Sequence, residues 1–324
     1  MTDSLAPGLP VTGGFRHIGF LYRSRAEYAQ AVAGFLRDGL AAGEPAFTAV
    51  PSVKVSLIRD ALGADARYVE FADMTEMGRN PAWIIPRVLK FTNGHPEQRV
   101  RYVGEPVWPS RTDAELREAT RHEALINLAF AAAEADILCP YDIEGLDPAV
   151  VGDAMRTHPL MLSALSGDGY EESPGFAVPS LIPSSCSLPL PAPPPDAMSH
   201  LYRTNLSQVR ALVFEHAREA GLTEARANDL VLAVSEVAAN TLRHTQSYGT
   251  LDIWHDQHEI ICEVHDEGTI TDPLAGRRQP DPAASGGHGL WLVHQVCDLV
   301  ELRSDRTGTT VRMHMTIRPS AAGR

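Results

Sequence analysis

Cysteine is scarce in this chain of 324 residues: Cys139, Cys186, Cys262 and Cys297 stand far apart with no C-x-x-C pair. That spacing argues against both a disulfide framework and a zinc-ribbon site. Basic residues are outnumbered, 28 Lys and Arg against 41 Asp and Glu, for a formal charge of -13. A phosphate backbone or an anionic membrane surface would be repelled unless the cations were gathered on one face, and Arg277-Arg278 is only a pair. No direct nucleic-acid partner and no membrane are therefore expected. Long apolar runs are missing as well, since stretches such as Leu125 to Ala133 are too short to span a bilayer. The opening residues Met1 to Pro7 lack the basic start and apolar centre of an export signal, so a cytoplasmic location is expected.

Proline, by contrast, is concentrated. Ser184 to Pro195 reads Ser-Ser-Cys-Ser-Leu-Pro-Leu-Pro-Ala-Pro-Pro-Pro, and such density removes backbone donors and favours extended polyproline geometry. A semi-rigid spacer over residues 166–199 is expected, dividing a first domain (1–165) from a second (200–324).

The first domain alternates short apolar strands with amphipathic helices. His17 to Tyr22, Ala46 to Val50, Tyr68 to Phe71, Val100 to Val103 and Asp136 to Cys139 are the strand candidates; Ala26 to Ala41 and Thr112 to Ala133 are crossover helices. This alternation predicts an α/β fold with a parallel sheet covered on both faces. Ligands of such sheets sit beyond the carboxyl ends of the strands, which points to Tyr22-Arg23-Ser24, Pro51-Ser52, Ala72-Asp73, Gly104-Glu105-Pro106 and Pro140-Tyr141-Asp142. A phosphate-binding loop would place glycines and Lys-Ser or Lys-Thr after the first strand. That place reads Leu21-Tyr22-Arg23-Ser24-Arg25-Ala26-Glu27, with no glycine. His122 lies on an otherwise ordinary amphipathic helix and reads as a surface or core-edge residue. His255-Asp256-Gln257-His258 reads as a polar hairpin turn, and no transition metal is assigned there.

The second domain carries four short elements in a fixed order. Glu236 and Asn240, four apart in the helical run Ala225 to Thr245, share one helix face. Asp266-Glu267-Gly268 ends the apolar strand Ile260 to Val264. Gly286-Gly287-His288-Gly289 opens a helix beginning at Leu290, whose free backbone donors and positive end favour anionic oxygens. Gly308-Thr309-Thr310 enters the last strand. Each fragment alone is what a solvated helix face, a turn or a loop also produces; their joint order carries the signal.

In that order they resemble the Bergerat-type ATPase module, and the compact form closed by Asn240-Thr241-Leu242-Arg243-His244 is most similar to the anti-sigma regulatory serine/threonine kinases. The resemblance implies an α+β two-layer sandwich that binds ATP with Mg2+. It makes Glu236 the catalytic base and Asn240 the Mg2+ ligand, and has Asp266 and Gly268 meet the adenine. Gly287, His288, Gly289 and Leu290 would cradle phosphates, and the Thr310 hydroxyl would support Asp266, with Asp272 to Ser285 as the lid. It also implies a sigma factor and a STAS-fold anti-anti-sigma protein as partners, and a homodimer. Ile270 stands where the family pattern Asp-x-Gly-x-Gly has its second glycine, so partner capture without catalysis is the alternative. In the first domain, His17-Ile18-Gly19-Phe20-Leu21-Tyr22, the segment Gly104 to Trp108 and Ile137 to Asp142 resemble the MEDS sensory domain over roughly residues 15 to 160. That resemblance implies a RecA-like fold without a phosphate loop, sensing a small-molecule signal.

Overall fold

A computed structural model describes residues 14–163, 169–177, 189–245, 248–281 and 287–317. The chain separates into two compact units, residues 1–186 and 187–324. Cys186, Gly286 and residues 282–285 of the expected lid lie outside the described residues.

In the first unit, strands β1 (Arg16–Tyr22), β2 (Ala46–Val50), β3 (Val69–Asp73), β4 (Val100–Gly104), β5 (Ala135–Asp142), β6 (Leu160–Leu162) and β7 (Tyr170–Glu172) form one sheet in the order β3-β2-β4-β5-β1-β6-β7. Every pairing is parallel except β6 with β7, so the expected parallel sheet is extended into a mixed one. The antiparallel β7 comes from within the proline-rich stretch. Connections run through α1 (Arg25–Ala41), α2 (Ser52–Leu62), α3 (Met74–Met77), α4 (Ile84–Asn93), α5 (Asp113–Ala129) and α6 (Pro148–Thr157). Their starts are written in the sequence. The Ser24 side chain caps α1 by accepting from the Glu27 amide, and Thr112 with Glu115 forms a reciprocal capping box on α5.

Strand alternation divides the interior. Ile18, Phe20 and Tyr22 point to one face, with Val32 and Leu36 of α1 and Ile58 and Leu62 of α2 in the same apolar cluster. His17 and Gly19 occupy the alternate positions. His122 is buried, at 1% exposure, not at the surface or core edge. The reason is that α5 is enclosed rather than amphipathic: Glu118, Arg121, Glu123 and Asn127 are buried with it.

Just beyond β4 the carboxylate of Glu105 is buried at the carboxyl end of the sheet. It accepts hydrogen bonds from Tyr22 Oη at 3.3 Å and Tyr28 Oη at 3.1 Å and pairs with Lys54. Burial pushes its pKa up to about 7, against the opposing pull of Lys54. An exposed glutamate releases its proton near 4.5. The stability this group contributes is therefore complete below pH 4.5 and is lost as pH rises through 7.

The second unit is a five-stranded antiparallel sheet in the order β11-β12-β10-β9-β8. Its strands are β8 (Met198–Tyr202), β9 (Gly249–His255), β10 (Glu259–Asp266), β11 (Leu299–Asp305) and β12 (Gly308–Thr316), and its helices α7 (Leu206–Glu219), α8 (Glu224–His244) and α9 (His288–Val296). One apolar cluster joins Val209 and Val213 of α7, Leu230, Val234 and Val237 of α8, and Val293 of α9 to alternate residues of the strands, among them Leu251, Cys262 and Met313. Helices over one face of an antiparallel sheet make the expected two-layer α+β sandwich. His255 to His258 is the β9–β10 hairpin, as expected, with Asp256 accepting from the amides of His258 and Glu259. On the opposite face Arg312 pairs with Glu263 and donates to the Pro191 carbonyl at 2.6 Å, tying the end of the proline-rich segment to β12.

Relative to the Glu105→Gln variant, the wild type should lose up to about 3 kcal/mol of unfolding free energy as pH rises from below 4.5 to above 7. Urea denaturation of both proteins across that range checks it, and a difference that does not change with pH would contradict the assignment.

Candidate functional site

Helix α8 presents two unlike faces. Ala227, Leu230, Ala233, Val234, Val237, Ala238 and Thr241 are buried against the sheet, while Glu236 and Asn240 are half-buried along its edge. The first turn of α9 lies against them. A Cβ placed on Gly289 would come within 3.1 Å of Glu236 Oε2 and 3.4 Å of Asn240 Nδ2, so only glycine permits this approach without displacement. Gly287 caps that helix in the left-handed conformation, φ 87°, and His288 is its exposed first residue. The leading amides of α9 have no partner within the helix and point out of its end. Leu290 packs against the apolar cluster, so its side chain belongs to the core, and only its amide belongs to this helix start.

Asp266 ends β10 on the helix-covered face, continuing the alternation of Ile260, Cys262 and Val264. Its carboxylate is held at two points. Thr241 Oγ1 donates to Oδ2 at 2.6 Å, and the Gly268 amide donates to Oδ1 at 2.8 Å. Tyr202 Oη lies 3.0 Å from Thr241 Oγ1 and extends the network to β8. One helix therefore carries Glu236, Asn240 and the threonine that orients Asp266.

Thr310 does not support Asp266. In the β10–β12 register Asp266 stands opposite Thr309, and Thr310 stands opposite His265. Alternation sends Thr310 to the other face, where its hydroxyl lies 3.0 Å from His265 Nδ1. Thr309 instead donates to the Gly268 carbonyl at 2.8 Å and pairs with Ser304 Oγ at 2.8 Å. The sequence signal for Thr241 was its place beside Asn240, on the buried side of the same helix.

Ile270 is integrated into the fold. Its amide donates to Ser304 Oγ at 2.8 Å, and its side chain packs against the apolar cluster. The described part of the expected lid, residues 272–281, buries Leu274 and Arg277. Gly276 lies against α9, where an added Cβ would meet His294 and Leu290 at 2.8 and 3.0 Å.

Comparison with known proteins places these features. Residues 16–159 match the family model of the MEDS domain, the methanogen/methylotroph DcmR sensory domain. Residues 201–315 match the histidine kinase-like ATPase domain. A serine-protein kinase, RsbW of Halalkalibacterium halodurans, is 29% identical over 111 residues, covering 30% of this chain and 67% of that protein. The solved RsbU and RsbW domains of a Mycobacterium tuberculosis protein align at 18% identity with a TM-score of 0.28, over 38% of this chain; the match spans 33% of that chain's length. No helix among the described residues is long and apolar enough to cross a membrane. The chain therefore joins, in this order, a MEDS sensory domain and a histidine kinase-like ATPase domain similar to the serine-protein kinase RsbW.

Proposed function

We propose that the chain is a cytoplasmic regulator in which the first unit senses a small molecule and the second binds ATP with Mg2+. In this reading the second unit phosphorylates a serine or threonine on a STAS-fold antagonist and captures a sigma factor. The observation that carries it is the convergence of Glu236, Asn240 and the glycine-led start of α9 on one side of α8, with Asp266 oriented from that same helix. Dimerisation belongs to the same reading, as does a RecA-like relation of the first sheet, which the strand order β3-β2-β4-β5-β1 supports.

The donor set suits the ligand. A carboxamide oxygen is a hard ligand of the kind Mg2+ takes, and Asn240 would hold the ion. The amides of Gly287, His288 and Gly289 would face phosphate oxygens at the positive end of α9. Asp266, already taking one hydrogen bond on each oxygen, keeps lone pairs for an adenine amino group. Glu236 would accept the proton of the attacking hydroxyl. When bound, ATP supplies the phosphoryl group, and Mg2+ offsets charge on its phosphates.

A second reading rests on Ile270. Its amide and side chain are both engaged where the family pattern has glycine, which favours a stiffer hinge and a protein that captures partners without turning over ATP.

Incubating the full chain with ATP, Mg2+ and a cognate STAS protein should yield phosphoserine or phosphothreonine. Glu236→Ala should abolish transfer while calorimetric ATP affinity stays within about twofold; binding with no transfer to any cognate candidate would leave capture alone. Asp266→Asn should remove measurable ATP binding. Thr241→Val should weaken it about fivefold, the equivalent of about 1 kcal/mol for one hydrogen bond that orients the carboxylate, and wild-type affinity in that variant would contradict the orienting role.

A further inference from the structure

Far apart in sequence, His17 on β1, Glu123 on α5, Cys139 on β5 and His158 after α6 are brought together inside the first unit. All are buried, and one ligand atom from each lies within 4.8 Å of the others. The sheet order explains the meeting, because β5, β1 and β6 are neighbours and α5 crosses the face to which His17 and Cys139 point. Gly19 makes room for it: a Cβ there would stand 3.2 Å from His158 Cγ and 2.8 Å from Met161 Sδ.

Hydrogen bonding around the cluster fixes which nitrogen of each ring faces inward. Asn127 Nδ2 donates to the Thr157 carbonyl at 2.8 Å and lies near two further carbonyls of its own helix. Its oxygen is thereby the atom facing His17 Nδ1 at 3.1 Å, and that nitrogen must carry the hydrogen. His158 Nδ1 lies 2.7 Å from the Ala154 carbonyl and must carry its hydrogen for the same reason. In the neutral rings both Nε2 atoms are then lone-pair donors. They converge on one carboxylate oxygen, Glu123 Oε2, at 3.1 and 3.3 Å, with Cys139 Sγ 3.5 Å from His17 Nε2. The other carboxylate oxygen, Glu123 Oε1, is buried without a hydrogen-bond partner. Burying these groups together is costly unless a proton or a metal cation is shared among them, and the unpartnered Glu123 Oε1 favours the larger cation.

We propose that this cluster is a transition-metal site of the zinc class, with His17 Nε2, His158 Nε2, Cys139 Sγ and the Glu123 carboxylate as a four-ligand set. The spacing fits. Tetrahedral zinc with ordinary bond lengths separates nitrogen from oxygen ligands by about 3.3 Å and nitrogen from sulfur by about 3.6 Å. Mixed imidazole, thiolate and carboxylate ligation suits Zn2+ or Co2+ better than Mg2+ or Ca2+. The outer hydrogen bonds from both Nδ1 atoms are the usual second layer of such sites, orienting the rings and raising ligand basicity. Binding would release the thiol proton of Cys139. Glu123 also lines a narrow cleft with Val107, Thr120, Tyr141 and Asp153.

The full chain, stripped with a chelator and reloaded with Zn2+, should retain about one equivalent after desalting. Loaded with Co2+, it should show intense visible bands of tetrahedral cobalt and a near-ultraviolet thiolate-to-cobalt band. Cys139→Ser should lose the thiolate band, and His158→Gln should lower retention well below stoichiometric. Wild-type chain that folds but retains neither metal overturns the proposal, whatever the variants do. So does a cobalt spectrum without a thiolate band, which would place the ion on surface histidines.

Discussion

The close contact between α9 and α8 is the constraint on which the second unit depends. Because Gly289 has no side chain, the first turn of α9 lies within van der Waals reach of Glu236 and Asn240, and a helix start rich in unpaired amides meets a carboxylate and a carboxamide. The same helix α8 reaches across to the sheet through Thr241, whose hydroxyl holds Asp266. Glu236, Asn240 and, through Thr241, Asp266 are thus all positioned by one element of 21 residues. Its position is in turn fixed by the apolar stripe from Ala227 to Ala238.

The first unit concentrates its polar chemistry in two places that the sheet keeps apart by alternation. Glu105 with Tyr22, Tyr28 and Lys54 sits at the carboxyl end of the strands, where parallel sheets present their ligand sites. His17, Cys139, His158 and Glu123 lie on the α5 side. Buried polar groups of this kind are tolerated only when matched by partners or a cation.

Much of this was readable in residue order. The five strands expected in the first domain and both of its named crossover helices appear within a few residues of their expected limits, because apolar runs bounded by Ser24, Pro51 and Thr112 carry their own caps and stops. In the second domain the spacing of Glu236 and Asn240, together with Asp266 and the glycines of α9, pointed to one site because those contacts are local or follow from one sandwich geometry. Three features were not legible. The family resemblance assigns Thr310 to Asp266, but the sheet register, which decides the face, is a long-range property that the motif does not carry. The helix containing His122 looked amphipathic because nothing local says that α5 is enclosed. The His17, Glu123, Cys139 and His158 cluster draws on residues 141 positions apart at the extremes, from 17 to 158, so no spacing motif marks it.

In the proposed reading, the glycine-mediated approach of α9 to Glu236 and Asn240 creates the nucleotide site. Calorimetric titration of ATP with Mg2+ into the full-length Gly289→Val variant, with circular dichroism confirming that it remains folded, tests it most directly. The account predicts loss of binding by at least about a hundredfold, since the added side chain separates the phosphate-facing amides from the two α8 residues. Wild-type affinity in that variant would contradict it.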